Sequence, residues 1–221
     1  MIENKRAADQ IEVVFYTDPL CCWSAALQQH IDKLRKELSG KLSFRYCMAG
    51  MIPSWQTFKD PMNSIDKPSQ MGPVWMEARH ITGADIDDQV WVKDPPASSF
   101  PACIAVKAAE LQSVEAGEKM LFALRDAVMK HSLNIAKDAV LSEVADKLGA
   151  KHPEIFDASR FKKDYNQTAS RNKLREDLNE IKIHKIGRFP TMLIRKDGYK
   201  TLMITGYRPY DVLISAFSHF N

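Results

Sequence analysis

The order of the hydrophobic patterns along this 221-residue chain constrains its fold more than any single motif does. The β-branched and aromatic residues 11–16 predict a buried strand that ends in the turn Thr17-Asp18-Pro19. Apolar residues three and four positions apart predict a helix over residues 22–38, and the alternating residues 42–48 predict a second strand. Such a β-α-β opening implies a parallel pair of strands with a right-handed crossover.

The end of the chain carries a second pattern of strands and helix. Residues 191–194 and 201–204 predict two short strands that form a hairpin around Lys196-Asp197-Gly198. Pro209 marks the start of a closing helix, because proline suits the first helical turn, and apolar residues at helical spacing follow it to Phe217.

The long segment between these two patterns has helical periodicity at residues 104–111, 120–129, 140–148 and 161–183, with predicted breaks at Gly117, Gly149 and Pro153. We therefore expect a β-α-β half over residues 1–60, a helical insertion over 61–185 and a β-β-α half over 186–221. The two halves should share one sheet, and the insertion should cover one side of it.

Composition argues against several classes of protein. Hydrophobic residues make up 45% and charged residues 27% of the chain, which is typical of a globular protein rather than a disordered one. The net charge of +3 comes without a basic stripe of interleaved aromatics, so we expect no nucleic-acid partner. Residues 171–188 mix basic residues with Glu176, Asp177 and Glu180, which is typical of a solvated helix face.

Residues 1–10 are polar and lack the apolar stretch of a signal peptide or membrane anchor, so we expect a cytoplasmic protein with no membrane partner. The four cysteines are too few for a disulfide scaffold and lack the paired spacing of a zinc site. The six histidines are scattered, so no metal is expected.

Cys21 stands where the first strand hands over to the first helix. The free amide groups and the dipole of a helix amino terminus stabilise an anion, so this position predicts a depressed thiol pKa and a nucleophilic Cys21. The alternative is that Cys21 and Cys22 are small buried apolar residues, which is the commoner fate of a free cysteine.

Phe189-Pro190-Thr191 lies directly before the third predicted strand. Proline cannot donate a hydrogen bond to a sheet, so its place at the start of a strand suggests a special turn with a cis peptide bond. A trans proline at the first residue of the strand is the alternative.

Several segments in the right order are similar to the DsbA-like thioredoxin-fold family, in its FrnE-like and predicted dithiol-disulfide isomerase group. They are Asp18-Pro19-Leu20-Cys21-Cys22-Trp23-Ser24, residues 95–109, residues 187–191 and Gly206-Tyr207-Arg208-Pro209-Tyr210. The resemblance implies an α/β thioredoxin-like fold with a large all-helical insertion of the DsbA type. It further implies that Cys21 is the attacking cysteine and Pro190 the cis-proline that faces it, with Trp23, Phe189 and Thr191 as substrate-binding neighbours.

One departure from the family matters. Its redox-active members carry Cys-x-x-Cys, whereas Ser24 occupies the fourth position here. Ser24 can still donate a hydrogen bond to a Cys21 thiolate without closing a disulfide. Cys22 is a weaker candidate for the resolving thiol, since a disulfide between neighbouring residues needs strained geometry. Cys47 and Cys103 are expected to be core residues.

The end of the second strand and the connection after it are rich in methionine, with Met48, Met51, Met62, Met71 and Met76 near Trp55 and Trp75. Flexible thioethers suit a surface that accepts varied peptides, but the same residues can line an ordinary core.

These features predict an enzyme, a monothiol thiol-disulfide oxidoreductase or isomerase. It would act through Cys21 on protein or peptide thiols and disulfides, with glutathione as a possible co-substrate and no bound cofactor. Two alternative functions remain, and each rests on a resemblance to another group of proteins with this fold. One is a glutathione-dependent transferase or isomerase of the kappa class, whose members usually place serine at the nucleophile position. The other is a non-catalytic DsbA-like protease adaptor.

Overall fold

The computed structural model describes residues 10–61 and 63–220. Nine of the ten residues in the polar amino terminus, and Met62, thus lie outside the described residues. The described chain forms, in order, β1 (Ile11–Thr17), α1 (Cys22–Glu37), β2 (Leu42–Met48), α2 (Met71–Thr82), α3 (Val90–Lys93), α4 (Phe100–Glu110), α5 (Val114–Met129), α6 (Asp138–Lys151), α7 (Ala158–Tyr165), α8 (Thr168–Ile183), β3 (Thr191–Arg195), β4 (Leu202–Thr205) and α9 (Tyr210–Phe217).

The four strands form one sheet in the order β2-β1-β3-β4. β1 runs parallel to β2 and antiparallel to β3, and β3 pairs antiparallel with β4. Tyr16 lies opposite Cys47 in β2 and opposite Thr191 in β3. The end of β1, the end of β2 and the start of β3 therefore meet at one edge of the sheet, and α1 begins just beyond it.

β1 is buried on both faces, as its continuous apolar run predicts. Val13 and Phe15 join the main core, while Val14 and Tyr16 pack with Cys47 in a smaller cluster on the other face. The predicted α/β architecture, with a helical segment between β2 and β3, is confirmed.

Two of the predicted helix breaks are wrong, because Gly117 lies inside α5 and Gly149 inside α6. A Cβ at Gly117 would sit 3.0 Å from the Cβ of Glu110, and one at Gly149 would sit 3.1 Å from the Cβ of Ala158. These glycines therefore permit close packing of neighbouring helices rather than ending their own. The continuous helix expected over residues 161–183 is instead α7 and α8, and α2 and α3 were not predicted.

The inner face of α8 also differs from the expected solvated surface. The Asp177 carboxylate is buried, lies 2.9 Å from the Lys107 ammonium and accepts a hydrogen bond from the Met48 amide. Glu180 accepts hydrogen bonds from Arg45 and from the Tyr16 hydroxyl. These hydrogen bonds from strand residues to acidic residues of α8 hold the helix against the sheet. The buried Asp177 carboxylate needs a partner, and Lys107 supplies it.

Candidate functional site

Cys21 is the N-cap residue of α1, as its place between strand and helix predicts. Its amide donates to the Asp18 carbonyl, and its own carbonyl accepts from the Ala25 amide. The turn that carries it is fixed further by the Leu20 amide, which donates to the Asp18 carboxylate at 2.9 Å. The Cys21 residue is only 4% exposed. A substrate must therefore reach a thiol that is nearly covered.

The expected depression of the Cys21 pKa is wrong for this structure. Burial raises the pKa of the thiol, because the charged thiolate loses its hydration. The Ser24 hydroxyl and amide lower it, the Asp18 carboxylate raises it and the Arg125 guanidinium lowers it, but burial is the largest influence. The position of Cys21 at a helix start predicts a lowered thiol pKa, but that prediction leaves out the groups that bury the sulfur.

Ser24 is fully buried in the first turn of α1. Its hydroxyl has no hydrogen-bond partner among the described residues. The same hydroxyl lowers the pKa of Cys21, because it can donate a hydrogen bond to a charged sulfur. This arrangement agrees with the predicted role of Ser24 as a stabiliser of the thiolate.

Cys22 is engaged elsewhere. Its thiol donates a long hydrogen bond, 3.9 Å, to the Val74 carbonyl of α2, and the residue is 2% exposed. Burial, together with the charge of Cys21, raises the pKa of Cys22 well above its ordinary value. All four cysteines are free thiols. These contacts disfavour Cys22 as a resolving thiol.

The Phe189–Pro190 peptide bond is cis, as the sequence predicted. Pro190 precedes β3 and its carbonyl accepts from the Gly206 amide, so it lies at the sheet edge where β1 ends. Thr191 is buried and its hydroxyl donates to the Arg188 carbonyl, which leaves its side chain occupied within the protein.

Phe189 and Trp23 are both half-buried, and the Trp23 ring packs 6.1 Å from the Tyr207 ring. These two aromatic side chains are therefore partly open to a substrate, and their predicted binding role stays a prediction. Of the three predicted substrate-binding residues, Thr191 is the weakest candidate, because it is buried and its hydroxyl is already hydrogen-bonded.

Asp18 is a residue whose importance sequence analysis missed. Its buried carboxylate accepts from the amides of Leu20 and Met51 and from the Cys103 thiol at 3.5 Å. Burial raises the pKa of this carboxyl, while its hydrogen-bond donors, Ser99 included, lower it. Asp18 thus ties the turn before Cys21 to the segment after β2 and to the start of α4.

Arg125 of α5 is the second residue that was missed. Its guanidinium donates to the Thr17 hydroxyl at the end of β1 and to the Gln28 side chain of α1. The residue is 5% exposed, and it lowers the pKa of the Cys21 thiol. The helical insertion thus places a cation beside the nucleophile, and the only sequence signal was one arginine in an amphipathic helix.

Cys47 and Cys103 are buried, as predicted, and Cys47 donates to the Asp177 carbonyl. The methionine-rich region is mainly core: Met48, Met71 and Trp75 are buried. Met51 is half-buried and Met76 is 48% exposed, so of the two alternatives the structure favours an ordinary core over a broad methionine surface.

Among residues 10–61 and 63–220, no cluster of histidine, cysteine and carboxylate side chains is placed to hold a metal ion. No helix in that part of the chain combines the length and apolarity needed to cross a bilayer.

Comparison with known proteins identifies the family. A sequence profile described as thioredoxin matches residues 14–215. The chain belongs to the thioredoxin family. Among solved structures, the cytosolic disulfide reductase DsbM from Pseudomonas aeruginosa has a TM-score of 0.70 at 18% identity, covering 95% of this chain and 100% of that one. Reduced DsbA1 from Neisseria meningitidis has a TM-score of 0.58 at 11% identity, covering 97% and 84%. These likenesses show a DsbA-like thioredoxin fold.

The curated relatives are named as adapter proteins and not as disulfide oxidoreductases. The ClpXP adapter protein SpxH of Halalkalibacterium halodurans is 26% identical over 216 residues, which are 96% of this chain and 68% of that protein. The SpxH of Shouchella clausii is 25% identical over 94% of this chain and 66% of its own length. This chain thus spans about two thirds of the length of the curated relatives it matches.

Proposed function

We propose that this protein catalyses thiol-disulfide exchange through Cys21 alone. The Cys21 thiolate attacks one sulfur of a substrate disulfide, forms a mixed disulfide and expels the other sulfur as a thiolate. An external thiolate, such as that of glutathione, then attacks the mixed disulfide and releases Cys21 as a thiolate. No net oxidation of the protein is needed, so the scheme suits isomerisation or reduction of a cytoplasmic substrate.

The observation that carries this proposal is that each of the other three thiols donates a hydrogen bond to a group other than Cys21. Cys22 contacts the Val74 carbonyl, Cys47 contacts α8, and Cys103 contacts Asp18. A resolving thiol has to come within disulfide bonding distance of the first sulfur, and each of these three is held by another partner. The Ser24 hydroxyl, in the place of a resolving thiol, supports the thiolate instead.

Intact-mass analysis after incubation with oxidised glutathione tests the proposal. We expect one glutathione adduct per chain, mapped to Cys21 by peptide analysis. Cys21→Ser should abolish it, while the matched neighbour variant Cys22→Ser should keep it. An internal disulfide in place of the adduct, or an adduct that survives Cys21→Ser, would contradict the monothiol mechanism.

A second function, that of an adaptor for a ClpXP-type protease, is favoured by two observations. The curated relatives are named as ClpXP adapters, and the Cys21 thiol is buried with a raised pKa, which suits a binding protein better than a fast thiol enzyme. Affinity capture under reducing conditions distinguishes the two. Retention of ClpX or ClpP subunits by both the wild type and Cys21→Ser, with no thiol turnover, would select the adaptor.

A further inference from the structure

Two exposed arginines lie on the loops that meet at the cis-proline. Arg188 comes two residues before Pro190, and its carbonyl accepts a hydrogen bond from the Thr191 hydroxyl. Arg208 comes two residues after Gly206, whose amide donates to the Pro190 carbonyl at 2.7 Å. The hydrogen bond between Pro190 and Gly206 therefore brings the two loops together, and each loop carries one arginine.

The loop that carries Arg208 also contacts the first turn of α1. The Tyr207 ring packs 6.1 Å from the ring of Trp23, which lies two residues after Cys21. The Arg208 guanidinium folds back along its own loop, because its Nη1 donates to the Tyr207 carbonyl at 2.9 Å and would lie 3.6 Å from a Cβ at Gly206. This cation is therefore held close to the contact between the two loops.

The formal charges at this edge of the sheet have one sign. Thr191 lies opposite Tyr16 in β1 and opposite Thr205 in β4, so the loops after these strand ends share the edge with the start of α1. Residues 19–24, 187–191 and 205–209 contain the two arginines and no lysine, aspartate or glutamate. The exposed charge beside the thiol is therefore positive.

Neither arginine has a carboxylate partner within the described parts of the chain. No aspartate or glutamate in residues 10–61 and 63–220 lies within salt-bridge distance of Arg188 or Arg208. Asp211 is the carboxylate nearest to Arg208 in the sequence, and it is exposed in the first turn of α9 without pairing with either arginine. Both guanidinium groups are therefore open to carboxylates of another molecule.

We propose that Cys21 selects disulfides in which acidic residues flank the cysteine, and that Arg188 and Arg208 bind the flanking carboxylates. A guanidinium presents a planar fork of N–H donors that fits a carboxylate. Complementary charge around a site also speeds the encounter with its partner. This inference rests on the thiol exchange proposed above and adds the class of substrate, an acidic segment of a protein.

Two peptides that differ only in charge test the inference. They are acetyl-Asp-Ala-Cys-Ala-Asp-amide and the same peptide with asparagine in place of both aspartates, each with its cysteine joined through a disulfide to thionitrobenzoate. The Cys21 thiolate attacks the peptide sulfur, forms a disulfide with the peptide and expels the coloured thionitrobenzoate anion. Absorbance gives the rate, and peptide mapping by mass confirms that the peptide is attached to Cys21.

We expect the aspartate peptide to react about three- to tenfold faster at low salt, because exposed ion pairs are individually weak but two of them act together. The difference should shrink as the salt concentration rises, since salt screens exposed charges.

Charge variants locate the effect. Changing both Arg188→Gln and Arg208→Gln should bring the two rates together. Changing both Arg188→Glu and Arg208→Glu should make the asparagine peptide the faster one, a reversal that a loss of folding cannot produce. Arg171→Gln is the matched control, because it removes an exposed arginine near the start of α8, and it should keep the wild-type preference.

Equal rates for the two peptides in the wild type would overturn this inference, as would a preference that persists in the double glutamine variant. Either result would leave the thiol exchange itself intact. If neither peptide became attached to Cys21, the proposed function would be wrong, and the substrate preference would fail with it.

Discussion

Ser24→Ala should separate reactivity from stability at the Cys21 site. The Ser24 hydroxyl is fully buried and has no hydrogen-bond partner among the described residues. It lowers the pKa of Cys21 and so stabilises the thiolate. A hydrogen bond to a charged group contributes about 1.5–3 kcal/mol, and about 1.4 kcal/mol corresponds to tenfold, so the thiolate population at neutral pH should fall at least about tenfold in Ser24→Ala. Folding stability should be unchanged or higher, because an unpaired buried hydroxyl is removed.

The assay is the rate of iodoacetamide alkylation at Cys21, measured by peptide mapping across a range of pH, with thermal unfolding measured in parallel. Ser170→Ala is a matched control, since Ser170 is equally buried but its hydroxyl donates to the Asp164 carbonyl. The control should lose stability and keep the wild-type alkylation rate. If Ser24→Ala alkylates as fast as the wild type at every pH, the hydroxyl does not stabilise the thiolate and the reasoning is wrong.

Three further predictions concern the structure around the site. Asp177→Ala leaves the Lys107 ammonium buried with a single remaining partner, so urea unfolding should show a loss of about 3 kcal/mol. Gly50→Ala places a Cβ 2.5 Å from the Phe100 ring at a φ of +55°, so the same measurement should show a loss of at least about 1 kcal/mol. Burial raises the pKa of the Cys21 and Cys103 thiols, so the folded state holds these protons longer than the unfolded chain. The free energy of unfolding that these two thiols contribute is complete below the unfolded thiol pKa of about 8.5. Above that pH it falls by up to about 1.4 kcal/mol per thiol per pH unit. Urea unfolding measured at increasing pH should show this loss.

Local patterns were enough to predict the elements nearest the site. The apolar run at β1, the helical spacing of α1 and the alternation of β2 each lie within one short segment, so no long-range contact is needed to recognise them. The cis bond before β3 was likewise found from a proline at the start of a strand. The helical insertion was harder, because Gly117 and Gly149 resemble stop signals while their actual role is close packing between helices.

The electrostatics of the site depend on residues that are far apart in the sequence. The Asp18 carboxylate is held by Met51 and Cys103, and the guanidinium beside Cys21 comes from Arg125. Neither pairing leaves a signal in the local sequence. The sequence predicted the wrong direction for the Cys21 pKa shift for the same reason. The helix start is a local feature, whereas burial is a property of the whole fold.

The central claim is that Cys21 works without a second sulfur within reach. It is tested most directly by comparing how fast the wild type and Ser24→Cys, both pre-treated with oxidised glutathione, oxidise a reduced dithiol peptide. Ser24→Cys should form a disulfide between Cys21 and the new thiol and become a dithiol oxidase, because the fold already holds position 24 in the first turn beside the nucleophile. The wild type should carry a single glutathione adduct and no internal disulfide, so it can oxidise the peptide only by releasing that glutathione. Equal oxidase activity in the two proteins, with an internal disulfide in the wild type, would contradict the account.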